Sequence, residues 1–201
     1  MLAIAFIGLA FVSSHFFLSL AEVRGPLVRR IGEGGFLGLY SAVAGVLLVM
    51  LVMTYGDANR SAYWWYPDPL HYQIAMVVMW FAVVLVVASF MAPNPSSVGM
   101  GSKAKEGPKG ILRVTRHPLL WGVGLWALSH LLANGDIVSV LFFISFAILS
   151  FVGILVLDSK KLQQLGDDWS GYTRQTSVLP FAAILTGRTA FAPKELLLPL
   201  A

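Results

Sequence analysis

Four histidines are the side chains of this 201-residue chain that are best suited to chemistry. Imidazole changes charge near neutral pH, and in its neutral form it is a common metal ligand. His15 and His130 stand inside long apolar runs, where an ionisable group is costly and usually has a task. His71 lies in an aromatic loop and is expected to be an interfacial polar residue. The two histidines in apolar runs are therefore the first candidates for a ligand site.

His15 and His130 are predicted to share one ligand. His15 lies in FVSSHFF and His130 in WALSHLLANG, so neither has a charged residue close by in the sequence. A lone buried histidine is often hydrogen-bonded only to a neighbouring hydroxyl, but two on separate apolar segments point to a common partner. Two neutral imidazoles suit the axial positions of heme iron, whereas zinc takes three or four protein ligands. A purely structural role for both histidines is the alternative.

Arg116 and His117 are secondary candidates, because they precede Pro118 at the start of a short apolar segment. The first turn of a helix attracts anions through its free N–H groups and its dipole. Two interpretations stay open: an anchor near lipid phosphates, or binding residues for an anionic or adenosyl ligand. His117 and His130 are thirteen residues apart, which is about 20 Å along a helix, so they cannot bind the same iron.

The composition indicates an integral membrane protein. Hydrophobic residues make up 57% of the chain, charged residues only 12%, and the mean hydropathy is +0.76. Soluble domains carry about 25% charged residues. The net charge of +4 is therefore not a sign of nucleic-acid binding, and the expected partner is the lipid bilayer. The absence of cysteine excludes disulfides, iron–sulfur clusters and thiolate-ligated heme.

The apolar stretches predict an all-α, polytopic transmembrane helical bundle. A membrane-spanning helix needs about 20 apolar residues. About five spans are expected, of which the fourth is short and is considered either deeply buried or extended backwards through ILRVTRH. A short interfacial or re-entrant segment follows at 178–185. The predicted spans are 1–21, 35–55, 72–91, 119–133 and 137–157.

The spans are predicted to form a single membrane domain over residues 1–201. A turn signal, Asn134-Gly135-Asp136, joins the last two spans in a hairpin. Asp158, Lys160 and Lys161 follow the fifth span and are expected on a solvated helix face. The parts of the domain are a three-span part at 1–91, a cytoplasmic loop at 92–118, a helical hairpin at 119–157 and a cytoplasmic or interfacial tail at 158–201.

Basic residues predict the orientation in the membrane. Arg60 stands alone in an outer loop, and the other Lys and Arg residues fall in segments on the opposite side. Cytoplasmic loops are rich in Lys and Arg, so the prediction is a bacterial inner membrane protein with a periplasmic N-terminus and a cytoplasmic C-terminus. This topology separates His15 and His130 in depth by about 10–15 Å. His117 is the alternative partner for His15 if the offset is real.

Four motifs together resemble the NnrU family of bacterial membrane proteins: GLYSAV at 38–43, GDANR at 56–60, TRHPLLWG at 115–122 and WALSHLLANGD at 126–136. A fifth, TSVLPFAAILTGR at 176–188, resembles the related branch of zeta-carotene isomerases. The match runs over roughly residues 10–190.

This resemblance implies a function that the residues alone do not. NnrU proteins are associated with nitrite and nitric oxide reduction, so a heme b-binding protein that supports this reduction or senses redox state is expected, together with a membrane redox partner. The isomerase branch holds heme b between two histidines that match His15 and His130, which implies heme-dependent cis–trans isomerisation of a lipophilic substrate as the alternative. A cysteine of that branch, three residues before the second ligand, corresponds to Ala127.

A second resemblance points to another class of enzyme. RHPLLWG is similar to the RHPxYxG motif of membrane methyltransferases, in which the histidine and later acidic residues help to hold S-adenosylmethionine. In this chain Leu120 replaces the tyrosine of the motif, and the paired acids are reduced to Asp158. Residues echoing the second methyltransferase element are Gly166, Trp169, Tyr172 and Pro180. Whether the chain is an enzyme stays open; an isomerase is favoured over a methyltransferase.

Overall fold

The computed structural model describes residues 1–196 and is all-α, as predicted. An isolated antiparallel bridge joins Tyr63 to Asp136, and no strand is present in this part of the chain. The α-helices are α1 (Leu2–Ser19), α2 (Ala21–Asp57), α3 (Pro69–Ser89), α4 (Pro118–Ala133), α5 (Ile137–Leu165), α6 (Asp167–Gln175) and α7 (Ala182–Leu185). Short 3₁₀ helices cover Gly101–Glu106, Gly110–Arg113 and Pro193–Leu196.

Four helices, α1, α2, α3 and α5, are long and apolar enough to cross a membrane. Helix α4 is apolar but has 16 residues, or about 24 Å of helix, which is shorter than the hydrocarbon core of about 30 Å. Large apolar side chains such as Met53, Trp80 and Leu155 are exposed on the helix surfaces, as lipid contact requires. The chain is therefore a membrane protein, and the predicted polytopic helical bundle is confirmed.

Helix α2 differs from the predicted second span, because it begins at Ala21 rather than Gly35. The basic segment before the span is also helical, with a break at Gly32, where φ is 74°. Glycine adopts this conformation readily, whereas other residues pay a steric cost. Across the break, Arg24 bonds Glu33 and its guanidinium lies 5.2 Å from the Phe36 ring centre. Arg24 thus contacts residues on the other side of the Gly32 break, and local hydropathy does not predict such contacts.

The predicted short apolar helix at 119–133 is confirmed, but its suggested extension through 111–117 is wrong. Helix α4 begins at Pro118, and a 3₁₀ helix occupies Gly110–Arg113. The residue before a proline disfavours the α conformation, whereas proline itself suits the first helical turn. Helix α5 continues past the predicted end at 157 to Leu165, and α7 is too short to cross a membrane, as expected.

The chain divides into two compact units, which are described separately. Unit 1 comprises Met1–Met76 and Ala127–Leu149, and unit 2 comprises Val77–Trp126 and Ser150–Ala201. The predicted domain boundaries stay a prediction.

In unit 1, α1 packs closely on α5. A Cβ atom at Gly8 would lie 2.5 Å from the Ser145 hydroxyl oxygen, so only glycine permits this approach. The start of α5 is held by Asp136, whose carboxylate accepts a hydrogen bond from the Ser139 backbone N–H at 2.9 Å. The Ser139 hydroxyl lies 3.1 Å from the Tyr55 hydroxyl on α2. These contacts connect three helices of the unit.

In unit 2, an apolar cluster joins the end of α3 to the segment that precedes α4. Helix α4 approaches the neighbouring helices at Gly122 and Gly124, where added Cβ atoms would lie 2.6 Å from side-chain atoms of Val86 and Phe151. The cluster consists of Leu85, Ala88, Ala92, Ile111, Leu112 and Val114, with Trp121, Leu125 and Ile184 packed against it.

We expect Gly122→Ala to destabilise the protein by about 1–3 kcal/mol, because the added methyl overpacks a close helix contact. Its Cβ would also lie 3.0 Å from the Ala82 carbonyl oxygen, which is backbone and cannot rotate away. Gly153→Ala is the matched control, because nothing lies within 4 Å of its Cβ position in α5. The unfolding midpoints of both variants are measured in detergent. Equal midpoints would contradict the close contact of Gly122 with Val86 and Ala82.

Candidate functional site

His15 lies in the last part of α1 with a defined ring orientation. Its Nδ1 is 2.7 Å from the Phe11 carbonyl oxygen, one turn earlier in the helix. A carbonyl oxygen only accepts hydrogen bonds, so Nδ1 carries the hydrogen and Nε2 keeps the lone pair. The His15 ring packs edge-on against Phe11 and against Tyr40 of α2, with ring centres 4.6 and 5.5 Å away. The half-buried imidazole is thus oriented with its ligating nitrogen available.

His130, near the end of α4, stacks on Phe143 of α5, with ring centres 4.5 Å apart. Phe143 belongs to a set of contacting rings that we term the aromatic cluster. Its members are Phe11, Tyr55, Phe142, Phe143 and Phe146, with consecutive ring centres between 4.3 and 5.9 Å apart.

The two histidines therefore flank the same aromatic cluster within unit 1. His130 contacts Phe143 directly, and His15 reaches the same helix through Phe11, whose ring lies 5.5 Å from Phe146. Phe143 and Phe146 are one turn apart on α5, or about 5 Å along its axis. His15 lies four residues, or about 6 Å, beyond Phe11 on α1, so these contacts leave a depth offset of about 10 Å between the two histidines, at the lower end of the 10–15 Å expected from the sequence.

Arg116 and His117 lie in unit 2, where both bond to Asp158 of α5. The Arg116 guanidinium donates from Nε and Nη2 to the two carboxylate oxygens, with the Nε distances at 2.9 and 3.1 Å. The His117 Nε2 lies 2.7 Å from Oδ1 of the same carboxylate. The His117 side chain is 1% exposed. We term these three residues the charged cluster.

Polar groups of two other segments position the charged cluster. The Ser96 hydroxyl lies 3.4 Å from Nδ1 of His117, so both ring nitrogens have partners within unit 2. On the other side, the Arg116 backbone N–H donates to the Ser177 carbonyl at 3.0 Å. The Val178 carbonyl accepts from both the Thr115 hydroxyl and the Trp121 indole, each at 2.8 Å. The motif at 115–122 and the motif at 176–188 are thus bonded to one another.

Two buried residues near the charged cluster were not identified as site residues from the sequence. Lys161 is only 8% exposed, which corrects the expected solvated face after the fifth span. Tyr172 of α6 is fully buried. The spacing of Asp158 and Lys161, three residues apart on one helix face, was the available signal. Their burial depends on contacts with distant segments, which the local pattern does not contain.

The described residues limit the kinds of metal site that this chain forms. Within residues 1–196, no group of three or more His, Cys, Asp or Glu side chains is placed to hold a metal ion. A zinc-type site, which takes at least three protein ligands, is therefore not formed by these residues. His71 pairs with Asp68 at 2.7 Å in an exposed position at the start of α3, as expected for an interfacial residue.

The sequence comparisons find one family and two curated relatives. The family described as "NnrU protein" matches residues 2–195. The "15-cis-zeta-carotene isomerase, chloroplastic" of Zea mays is 32% identical over 125 residues, which cover 59% of this chain and 33% of that protein. The Arabidopsis thaliana protein of the same description is 29% identical over 181 residues, which cover 84% of this chain and 47% of that protein. The chain thus spans less than half of each relative, and no solved structure matches it.

Proposed function

The chain belongs to the NnrU family, and from this premise we propose that it is a membrane protein that binds heme b through His15 and His130. The observation that carries the proposal is that both histidines flank one aromatic cluster within a compact unit of apolar helices. The proposal requires two protein ligands only, one imidazole for each axial position of the iron.

The surroundings of His15 suit an iron ligand. Its Nδ1–H is bonded to a backbone carbonyl, an arrangement that fixes the tautomer and orients the ring of metal-bound histidines. The aromatic cluster supplies an apolar, polarisable lining for a flat macrocycle. His117 is a poorer ligand candidate, because its Nε2 is bonded to Asp158 and Nδ1 lies beside Ser96.

For the reaction, we propose cis–trans isomerisation of a lipophilic polyene. The support is that both curated relatives are described as 15-cis-zeta-carotene isomerases. When bound, the heme would supply a redox-active iron centre beside the substrate. The chain's own contribution would be apolar: Phe142 and Phe146 exclude water and pack along a hydrocarbon chain, and Tyr40 holds the edge of the His15 ring.

Electron transfer or redox sensing in nitrogen-oxide metabolism is the second candidate, with a membrane redox partner. Ala127 favours it, because the isomerase branch carries a cysteine at this position, one turn before the second ligand, whereas the fully buried methyl of Ala127 cannot bind iron in place of His130. The location in a bacterial inner membrane and the orientation of the termini stay predictions; both curated relatives are described as chloroplastic.

S-adenosylmethionine binding at Arg116 and His117 ranks lower, because both side chains already bond Asp158. Titration calorimetry with S-adenosylmethionine tests it, and measurable heat that disappears in Arg116→Met would move the methyltransferase above the heme proposal.

The test of the proposed function is an absorption spectrum followed by an isomerase assay. The full chain, expressed with adequate heme supply and purified in detergent, is expected to show a Soret band and a reduced spectrum typical of two histidine ligands. Incubation with 15-cis-zeta-carotene is then expected to shift the polyene spectrum under reducing conditions. Absence of the Soret band would overturn heme binding; a Soret band without polyene conversion would leave the redox role as the conclusion.

A further inference from the structure

The Tyr172 hydroxyl is a buried polar group without a partner. Tyr172 is fully buried, its ring packs 5.4 Å from that of Trp169, and Ala104 and Leu165 complete its surroundings. Among the described residues, its hydroxyl oxygen is the one buried side-chain nitrogen or oxygen atom with no hydrogen bond. Buried hydroxyls are rarely left unpaired, because the lost hydration is costly. An oxygen-bearing ligand would satisfy it.

Arg116 brings unused donors close to this hydroxyl. The Arg116 backbone N–H donates to the Ser177 carbonyl at 3.0 Å, and the Thr176 hydroxyl donates to the Tyr172 carbonyl at 2.8 Å, so Arg116 lies beside the segment that carries Tyr172. Burial raises the pKa of the Tyr172 hydroxyl, and the positive charge of Arg116 acts in the opposite direction. Arg116 uses Nε and Nη2 for Asp158, while its third nitrogen, Nη1, makes no hydrogen bond within the described part of the chain. The free edge of the guanidinium is therefore available to an anion.

Lys161 supplies a second cation. Its Nζ donates to the Ser97 carbonyl at 3.3 Å, and no carboxylate of residues 1–195 lies within salt-bridge distance of it. Lys161 follows Asp158 by three residues and precedes Leu165 by four, so the three lie along one face of α5. Leu165 packs with Tyr172, and this face therefore leads from the charged cluster to the unpaired hydroxyl.

The charges of these groups do not cancel. Asp158 neutralises Arg116 and also bonds His117, so the carboxylate does not repel an anion as a free one would. The ammonium group of Lys161 adds one positive charge in a buried position, which is costly without a counter-ion. The missing partner is thus an anion of about one charge that carries several acceptor oxygens.

We propose that Arg116, Lys161 and Tyr172 form a binding site for a singly charged phosphate ester. The three side chains would donate to its oxygens from Nη1, Nζ and the hydroxyl. The site lies just past the apolar run of α5 at 137–157, at the level where lipid headgroups meet the hydrocarbon core. A phospholipid headgroup and a soluble phosphate present the same chemistry. This proposal is independent of heme binding in unit 1.

The test measures thermal unfolding of the full chain in an uncharged detergent, with two probes. Short-chain phosphatidylglycerol represents the lipid source and inorganic phosphate the soluble source, each against chloride at matched ionic strength. We expect at least one probe to raise the unfolding midpoint in a saturable manner. Saturation with phosphatidylglycerol alone assigns the site to a headgroup, and saturation with phosphate assigns it to a soluble ester. Failure of both probes would overturn the proposal.

Variants separate a ligand site from a structural cluster. We expect Tyr172→Phe to keep the ligand-free midpoint, because the removed hydroxyl has no protein partner, and to weaken probe binding about five- to tenfold. Lys161→Gln should weaken probe binding more than tenfold. Lys194→Gln, at an exposed lysine, should bind the probe as tightly as the unmodified chain does. If Tyr172→Phe binds the probe normally, or lowers the ligand-free midpoint, the hydroxyl has another partner and the proposal is wrong.

Discussion

Replacing either His15 or His130 with alanine is expected to abolish the Soret band of the purified protein, with heme affinity falling by more than about tenfold. Loss of outer-shell groups alone commonly costs 10–100-fold in metal affinity, and a ligand itself matters more. Each substitution removes one axial imidazole while leaving a small apolar side chain among the rings of the aromatic cluster. Heme content per mole of protein, read as the pyridine hemochrome, is the measurement.

Two control variants make this result specific. His71→Ala removes an exposed imidazole that pairs with Asp68, and it should keep the full heme content. His117→Gln tests the alternative pairing, because the amide can still donate to Asp158 in place of Nε2. Heme lost in His117→Gln but kept in His130→Ala would refute the assignment of His130 and make His117 the partner of His15.

Asp158→Ala is expected to cost about 3 kcal/mol of folding free energy, at the lower end of the range for breaking a buried ion pair. The substitution leaves the Arg116 guanidinium, 11% exposed, without a counter-charge and removes the partner of the His117 ring. Asp68→Ala is the control, since its carboxylate is exposed and pairs with His71; it also caps α3 by accepting from the His71 backbone N–H, so its effect should be about 1 kcal/mol. Chemical unfolding in detergent compares them.

A double variant tests whether Asp158→Ala loses stability because the Arg116 charge is left without its counter-charge. Arg116→Met with Asp158→Leu replaces the pair by apolar groups of similar volume, an exchange that is often neutral in buried positions. We expect the double variant to be more stable than Asp158→Ala by about 1–3 kcal/mol. A double variant as unstable as the single one would show that the geometry of the hydrogen bonds, and not the uncompensated charge, decides stability.

Much of the helical architecture was predictable because apolar runs of membrane length are a local signal. Helices α1, α3 and α4 begin and end within three residues of their predicted limits, a scatter typical of helix ends. The start of α2 was missed because its first turns are basic and interrupted by Gly32, so hydropathy does not mark them. What holds that segment is the bond from Arg24 to Glu33, and such a contact across a break is invisible to a window average.

The candidate sites were predictable to different extents. His15 and His130 stand out because an ionisable residue in an apolar run is conspicuous in the sequence alone. Tyr172 and Lys161 do not, since Tyr172 lies in a short polar helix and Lys161 in the mixed-charge stretch that follows the apolar run of α5. Their burial arises from segments far away in the chain, such as Ser97 for Lys161. Contacts between residues so far apart in the chain leave no periodic pattern in the sequence, and only the folded structure reveals them.

The bonds between the start of α4 and Val178 have a consequence for biosynthesis. The Trp121 indole and the Thr115 hydroxyl both donate to a carbonyl that lies 57 residues or more further along the chain. At translation rates of about 5–20 residues per second, these donors wait several seconds for their acceptor. During that time the start of α4 depends on water, lipid headgroups or a chaperone. The contacts that hold the start of α4 are therefore completed only after α4 itself has been synthesised, and nascent chains stalled before Val178 are expected to be degraded faster than the full chain.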